Sequence, residues 1–192
     1  MPSLYVVATP IGNLEDVTLR ALRVLGEVSL TAAEDTRVTR KLLTRHGIQT
    51  RLTSYHDRNA RTKLPALMSA LEDGDVALVC DAGTPGINDP GWELVAAALD
   101  AGVKVVPIPG PSAVTSAISV SGRPVSQYVY IGFLPRRRAD RRRALESLSV
   151  EGRFIVVLEA PHRLRSALED MLEMLGDRRL AACRELTKLH EE

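Results

Sequence analysis

Asp81 and Asp89 bracket a loop made almost wholly of small and turn-forming residues, Asp81-Ala-Gly-Thr-Pro-Gly-Ile-Asn-Asp-Pro-Gly91. Neither Lys nor Arg occurs between Gly74 and Trp92. The loop therefore lacks a P-loop lysine, and it also lacks the G-x-G-x-x-G spacing. Pro85 and Pro90 carry no backbone N–H to offer a phosphate. Small residues that allow close approach, joined to two carboxylates, suit a ligand with hydroxyls, an amine or a cationic centre. The same residues also serve as a plain strand–turn–helix connector with an aspartate cap. Three more side chains able to move a proton lie in short polar stretches: Glu34 and Asp35 beside Thr36-Arg37, and His56 after Ser54-Tyr55. Asp35 has a second use as a helix cap, and His56 as a hydrogen-bonded loop residue. Arg37 can hold a phosphate or a ribose, or line a solvated helix face. Six arginines fall within eight positions, Arg136, Arg137, Arg138, Arg141, Arg142 and Arg143. Their planar forks can grip phosphates; a solvated surface turn is the alternative.

These groups need a frame, and the apolar pattern supplies one. Residues 4–8 and 76–80 are short apolar runs that read as buried parallel strands. Residues 28–32, 51–56 and 103–108 read as further strands. Between them lie helical patterns: Leu19, Leu22 and Leu25 behind a Thr18 cap; Val38, Leu42 and Leu43 behind Asp35 or Thr36; Leu64, Leu67, Met68 and Leu71; and residues 92–99. Asn88 or Asp89 is the expected cap of the helix after the loop, with Pro90 at its first position. Pro109-Gly-Pro-Ser112 turns into an apolar helix over residues 113–120. Each polar stretch leaves the carboxyl end of a predicted strand, where open α/β sheets bind ligands. Regular strand–helix alternation predicts an α/β fold with a mostly parallel sheet and helices on both faces. Gly122-Arg-Pro124 reads as a linker. After it come a strand over 128–133, the basic turn and a helix, a strand over 154–158, a helix over 161–175 and a strand near 180–183.

Composition bounds the possibilities. Lys and Arg number 25 against 24 acidic residues, so affinity for nucleic acid has to come from a local patch. Cys80 and Cys183 are too few and too far apart for a disulfide framework, which fits a reducing cytoplasm. Cys80 is expected in the core. No stretch approaches the ~20 apolar residues of a membrane span, and the expectation is a protein with no membrane segment and no cleaved leader. His46, His56, His162 and His190 lack mutual ligand spacing, so no metal is expected.

Eight stretches resemble, in order, the branch of the tetrapyrrole methylase superfamily that modifies ribosomal RNA. They are Ala8-Thr-Pro-Ile-Gly-Asn-Leu14, Ala33-Glu-Asp-Thr-Arg37, Ser54-Tyr-His56, the loop over 81–91, Pro109-Gly-Pro-Ser-Ala113, Gly132-Phe-Leu-Pro135, Glu159-Ala-Pro-His-Arg163 and Arg184-Glu-Leu-Thr-Lys188. The resemblance covers nearly the whole chain. Cys80 and Asn88 stand where it leads one to expect Ser. It implies two α/β domains of the tetrapyrrole methylase type. Residues 1–121 would form the N-terminal domain, and 122–192 the start of a C-terminal domain cut short, because the family runs well past residue 192.

The resemblance further implies S-adenosylmethionine as cofactor. Carried over by motif, Pro10 would line its methionine end, and Asp81, Gly83, Gly86, Ile87 and Asp89 its central wall. Ser112 and Ala113 would meet it at the next strand's end, and Leu134 from the second domain. The implied reaction is 2′-O-methylation of a cytidine ribose in 16S ribosomal RNA of the small subunit, by a cytoplasmic homodimer. Glu34, Asp35 and His56 are candidate bases, and Arg37, Arg136, Arg137, Arg138, Arg141 and Arg142 candidate RNA contacts. The alternatives are a tetrapyrrole (porphyrin or corrin) methyltransferase of the same fold and a non-catalytic ribosome-binding module. The arginine cluster favours RNA over a small macrocycle.

Overall fold

The computed structural model describes residues 1–192. The chain divides into two units, one of residues 1–116 with Arg184–Glu192 and one of Ala117–Cys183. The sequence reading placed the division after residue 121. The change of unit falls inside a helix, α5 (Ala113–Val120).

The first unit is built on five parallel strands: β1 (Ser3–Val7), β2 (Leu30–Ala33), β3 (Leu52–Ser54), β4 (Val76–Val79) and β5 (Lys104–Ile108). Their order across the sheet is β3-β2-β4-β1-β5. Side chains alternate in direction along each strand, so each strand feeds two cores. Val7, Ala33, Ala77, Val79 and Ile108 meet α1 (Leu19–Glu27) and α2 (Thr36–Arg45) on one face. Leu4, Ala32, Val76 and Leu78 meet α3 (Ala60–Asp73) and α4 (Trp92–Asp100) on the other. Burial on both faces explains why 76–80 is apolar without alternation.

The helix starts follow local chemistry. Thr18 caps α1 through Ala21 N–H, and Asp35 caps α2 through Arg37 N–H. The start of α4 differs from the sequence expectation. Its cap position is Gly91, and neither Asn88 nor Asp89 caps it. Asn88 lies at φ 63° and Gly91 at φ 138°, so the chain makes further turns before the helix begins. Gly91 also lies against β4, where an added Cβ would come within 2.7 Å of Leu78 Cδ2. Only glycine combines that φ with that approach.

The second unit contains β6 (Tyr128–Phe133) and β7 (Phe154–Leu158) as a parallel pair, with α6 (Arg138–Glu146) and α7 (Leu164–Leu175). Leu134, Leu145 and Ala167 form its small core, with Ile131, Val157 and Met171 packed around them. The expected strand near 180–183 is absent. A strand needs a paired neighbour, and Arg178 instead ties the chain to the carbonyls of Ser149 (2.5 Å) and Glu151 (3.0 Å).

A buried ion pair joins α6 to α7. Arg141 is 4% exposed and bonds the fully buried Asp170 through Nη2 at 2.5 Å and Nε at 2.8 Å. Arg138 reaches the other carboxylate oxygen at 3.0 Å. Removing the carboxylate would leave Arg141 buried without its counter-charge, which costs about 3–5 kcal/mol. Asp170→Ala is therefore expected to lower the amide-exchange protection of β6 and β7 by about that amount. Protection in β1 and β4 should stay at the wild-type level.

Candidate functional site

The sheet order brings four loops together. The connection after β1 runs to β2, past β4, whereas that after β4 runs to β5, past β1. Adjacent strands whose connections depart in opposite directions leave a crevice at their carboxyl ends. The structure draws this edge tight. Thr9 N donates to Gly83 O at 2.8 Å, and Gly83 N donates to Thr9 O at 3.0 Å. Thr9 Oγ1 donates to Cys80 O at 3.1 Å. An added Cβ at Gly83, which lies at φ 84°, would meet Ile11 Cγ2 at 3.6 Å and Pro111 O at 3.8 Å. The loops after β1, β4 and β5 thus share one small patch, with Pro10 buried behind it. Ser112 stands just before α5 and its carbonyl accepts Ser116 N–H at 3.0 Å, with Ala113 the first residue of that helix.

Carboxylates crowd the neighbouring ends of β2 and β4. Glu34 Oε2 accepts Asp81 N–H at 3.2 Å, and Asp81 Oδ1 accepts Asp35 N–H at 3.0 Å. Their pKa values separate in opposite directions. Burial raises Glu34 above its ordinary 4.5, with repulsion from Asp81, Asp89 and Asp57 adding to it. Burial also raises Asp81 and Asp89 above the ordinary 3.8. Asp35 falls to about 2, chiefly because Arg37 hydrogen-bonds it. Arg37 Nη2 lies 2.6 Å from Asp35 Oδ2 and its Nε 3.0 Å from Oδ1. Burial, with the charge of Asp89, pushes the Cys80 thiol well above its usual range. Asp57 belongs to this acidic group although only His56 drew attention in that stretch. Its signal was the polar run His56-Asp-Arg-Asn59 at a strand end.

The remaining sequence candidates divide. Gly86 and Ile87 are exposed, Ile87 to 54%. An added Cβ at Gly86 would meet nothing within 4 Å. His56 lies at the end of β3, one strand beyond Glu34, where its N–H donates to Asn59 Oδ1 at 2.8 Å. Leu134 is 2% exposed, and its side chain packs in the second unit's core. Its carbonyl accepts Arg163 Nη1 at 3.2 Å, and Arg163 in turn pairs with Glu159 at 2.5 Å. The arginine cluster is largely committed within its own unit. Arg141 is buried against Asp170, which rules it out as a phosphate contact. Arg138 is shared between Asp170 and Glu173, Arg142 pairs with Glu173, and Arg143 with Asp140. Arg136 and Arg137 are exposed and make no ion pair.

A five-stranded parallel sheet with a crevice at the carboxyl ends of its strands is an open, doubly wound α/β frame. The comparisons make this specific: residues 3–192 match the model of the tetrapyrrole (corrin/porphyrin) methylases, and the chain belongs to that family. It is 51% identical over 191 residues to ribosomal RNA small subunit methyltransferase I of Halalkalibacterium halodurans, covering 99% of this chain and 66% of that one. It is 50% identical to the protein of the same name from Thermotoga maritima, covering 86% of it. Against the Escherichia coli O157:H7 protein of that name the identity is 49%, over 66% of its length. Two solved structures share the fold. Uroporphyrin-III-C-methyltransferase from Thermus thermophilus superposes with a TM-score of 0.65 at 19% identity, over all of this chain and 83% of that one. Cobalt precorrin-4 methyltransferase superposes with a TM-score of 0.73 at 14% identity, over 99% and 83%. No helix is long and apolar enough to cross a membrane.

The raised carboxylates have a pH consequence. A carboxyl group whose folded pKa is raised binds its proton more readily in the folded chain, so ionising it opposes folding. That cost is full above the raised pKa and vanishes below the ordinary one. Glu34→Gln removes it while keeping an acceptor for Asp81 N–H. The variant is expected to be more stable than wild type at neutral pH. Its advantage should shrink as pH falls through the raised pKa towards 4.5. Thermal melts of both proteins across that range check this.

Proposed function

We propose that the protein is an S-adenosylmethionine-dependent methyltransferase that methylates the 2′-hydroxyl of a cytidine ribose in 16S ribosomal RNA. The observation that carries this reading is the near-50% identity, along essentially the whole chain, to proteins named ribosomal RNA small subunit methyltransferase I. The local chemistry fits the cofactor. Gly83 and Gly86 hold the loop at positive φ with no side chain in the way. Three carboxylates with raised pKa offer uncompensated negative charge to a sulfonium and an ammonium. Arginine and lysine, which would suit a polyphosphate, are absent from that loop.

Bound S-adenosylmethionine would supply an electrophilic methyl group. Pro10, Asp81, Gly83, Asp89, Ser112 and Ala113 would hold it with that methyl group towards the ribose hydroxyl. The hydroxyl proton passes to Glu34. Among the three candidates Glu34 suits this task best, because its raised pKa makes its carboxylate the stronger base. Asp35 is held near 2 by Arg37 and is a poor base. His56 lies one strand further out. Arg136 and Arg137 would hold phosphates flanking the target, and Arg37 would keep its Nη1 for the RNA while Nε and Nη2 serve Asp35. The protein would act in the cytoplasm as a homodimer.

Tritiated methyl transfer onto small ribosomal subunits, with a porphyrinogen as the second acceptor, tests the reading. Label in the RNA, resistant to alkaline cleavage at one cytidine, is expected; label in the porphyrinogen alone would overturn it. Gly86→Ala meets nothing within 4 Å and costs about 1–2 kcal/mol of backbone strain at its φ of 80°; it should leave the protein folded yet weaken the methyl donor at least about tenfold by covering the loop's approach surface. Calorimetry reads this directly. Replacing Arg136 and Arg137 together by Ala should reduce the slope of RNA affinity against log salt by roughly 1.4 to 1.8 units, at ~0.7 to 0.9 per phosphate contact. Cofactor affinity should stay the same.

A further inference from the structure

No Asp or Glu occurs between Asp35 and Asp57, while Arg37, Arg40, Lys41, Arg45 and Arg51 all fall in that interval. The whole chain carries a net charge of only +1, so the interval is a local excess of positive charge. Most of it is carried by α2. Thr39, Leu42 and Leu43 are buried beneath that helix. Arg37, Arg40, Lys41 and Arg45 are exposed on its other side. From Arg37 to Arg45 the helix advances about 12 Å, at about 1.5 Å per residue.

Two features of this face exceed what a solvated helix needs. On α1, α6 and α7 a basic side chain meets an acidic one about a turn away: Arg23 pairs with Glu27, Arg143 with Asp140 and Arg165 with Glu169. On α2, Arg40, Lys41 and Arg45 have no acidic partner at all. Arg37, Lys41 and Arg45 instead follow one another at i, i+4 and i+8, a spacing at which like charges repel and weaken a helix. The face also leads from the site. β2 ends at Ala33 and α2 begins at Thr36, with Glu34 between them. The row of charges therefore starts beside the carboxylate proposed to take the ribose proton, and it runs away from it along the helix.

We infer that the exposed face of α2 is a track for the backbone of the substrate RNA, with Arg40, Lys41 and Arg45 on phosphates that flank the methylated ribose. This rests on the RNA reading above and adds a binding surface to it. The carboxylates at the sheet edge repel phosphates, so a strand whose ribose reaches Glu34 needs positive charge close by to hold its backbone. Arg37 gives Nε and Nη2 to Asp35, and the next charges along the helix are free. Contacts of this kind fix the position of the strand and carry no base sequence.

Arg40→Gln, Lys41→Gln and Arg45→Gln combined in one chain test this, because glutamine matches the helix propensity of the residues it replaces and removes their charge. Affinity for protein-free 16S ribosomal RNA and for small ribosomal subunits is measured against log salt, and calorimetry reads S-adenosylmethionine. The slope on both targets is expected to fall by roughly 2.1 to 2.7 units, at ~0.7 to 0.9 per phosphate contact, with cofactor affinity unchanged. Two other variants should keep the wild-type slope: the charge-preserving pair Arg40→Lys and Arg45→Lys, and Lys104→Gln on β5 at the far edge of the sheet. A triple variant with the wild-type slope overturns the inference. So does one that loses affinity for subunits and none for protein-free RNA, which would put an acidic ribosomal protein on this face. Both results leave the methyltransferase reading standing. A wild-type protein that binds neither target, or that labels the porphyrinogen alone, overturns the RNA reading itself.

Discussion

The two hydrogen bonds between Thr9 and Gly83 hold the site together. Parallel strands end in loops that leave the sheet, and nothing in the strands themselves keeps those loops close. β1 and β4 are neighbours in the sheet, yet their connections depart towards opposite edges. Without a link the crevice would open. The reciprocal bonds extend the pairing one step past the strand ends, in antiparallel sense, and turn two loops into one surface. Thr9 Oγ1 adds a third tie, to Cys80 O. Gly83 makes the approach possible, since its φ of 84° disfavours any residue with a side chain.

That surface holds acidic groups that repel one another. Glu34, Asp81 and Asp89 each have a pKa raised chiefly by burial, with repulsion from neighbouring carboxylates adding to it. A structure selected for stability alone would pair them. The one nearby cation, Arg37, is drawn off by Asp35. The negative charge is thus left for something else to neutralise, and a ligand with a positive centre gains most from it. The same arrangement explains why lysine and arginine are missing from the loop.

Much of the frame was legible in the sequence, because its signals are local. Apolar runs mark the strands, Thr18 and Asp35 mark helix starts, and the polar stretches at strand ends mark the ligand edge. The misses have nonlocal causes. The start of α4 depends on Gly91 pressing against Leu78, a contact set by the fold. The arginine cluster looked like a phosphate grip, but Asp170 and Glu173, about thirty residues away, occupy three of its members. The run near 180–183 has strand-like composition but no neighbour to pair with. Asp57 joins the acidic group through the sheet order, which brings the end of β3 towards Glu34.

Glu34 and Asp35 show how far adjacency and residue type fall short of assigning chemistry. They are neighbours, both acidic, at the end of the same strand. The backbone turns between them, since Glu34 N donates to Val79 O across to β4 while Asp35 caps α2. Glu34 therefore lies over the sheet edge among other carboxylates, and Asp35 faces the arginine that its own cap bond brings round. The helix that needs the cap thereby leaves Asp35 a weak base. Its neighbour is left with the raised pKa and the place beside Asp81. Which carboxylate can accept a proton is decided by the register at which β2 ends and α2 begins, and a shift of one residue would exchange their roles.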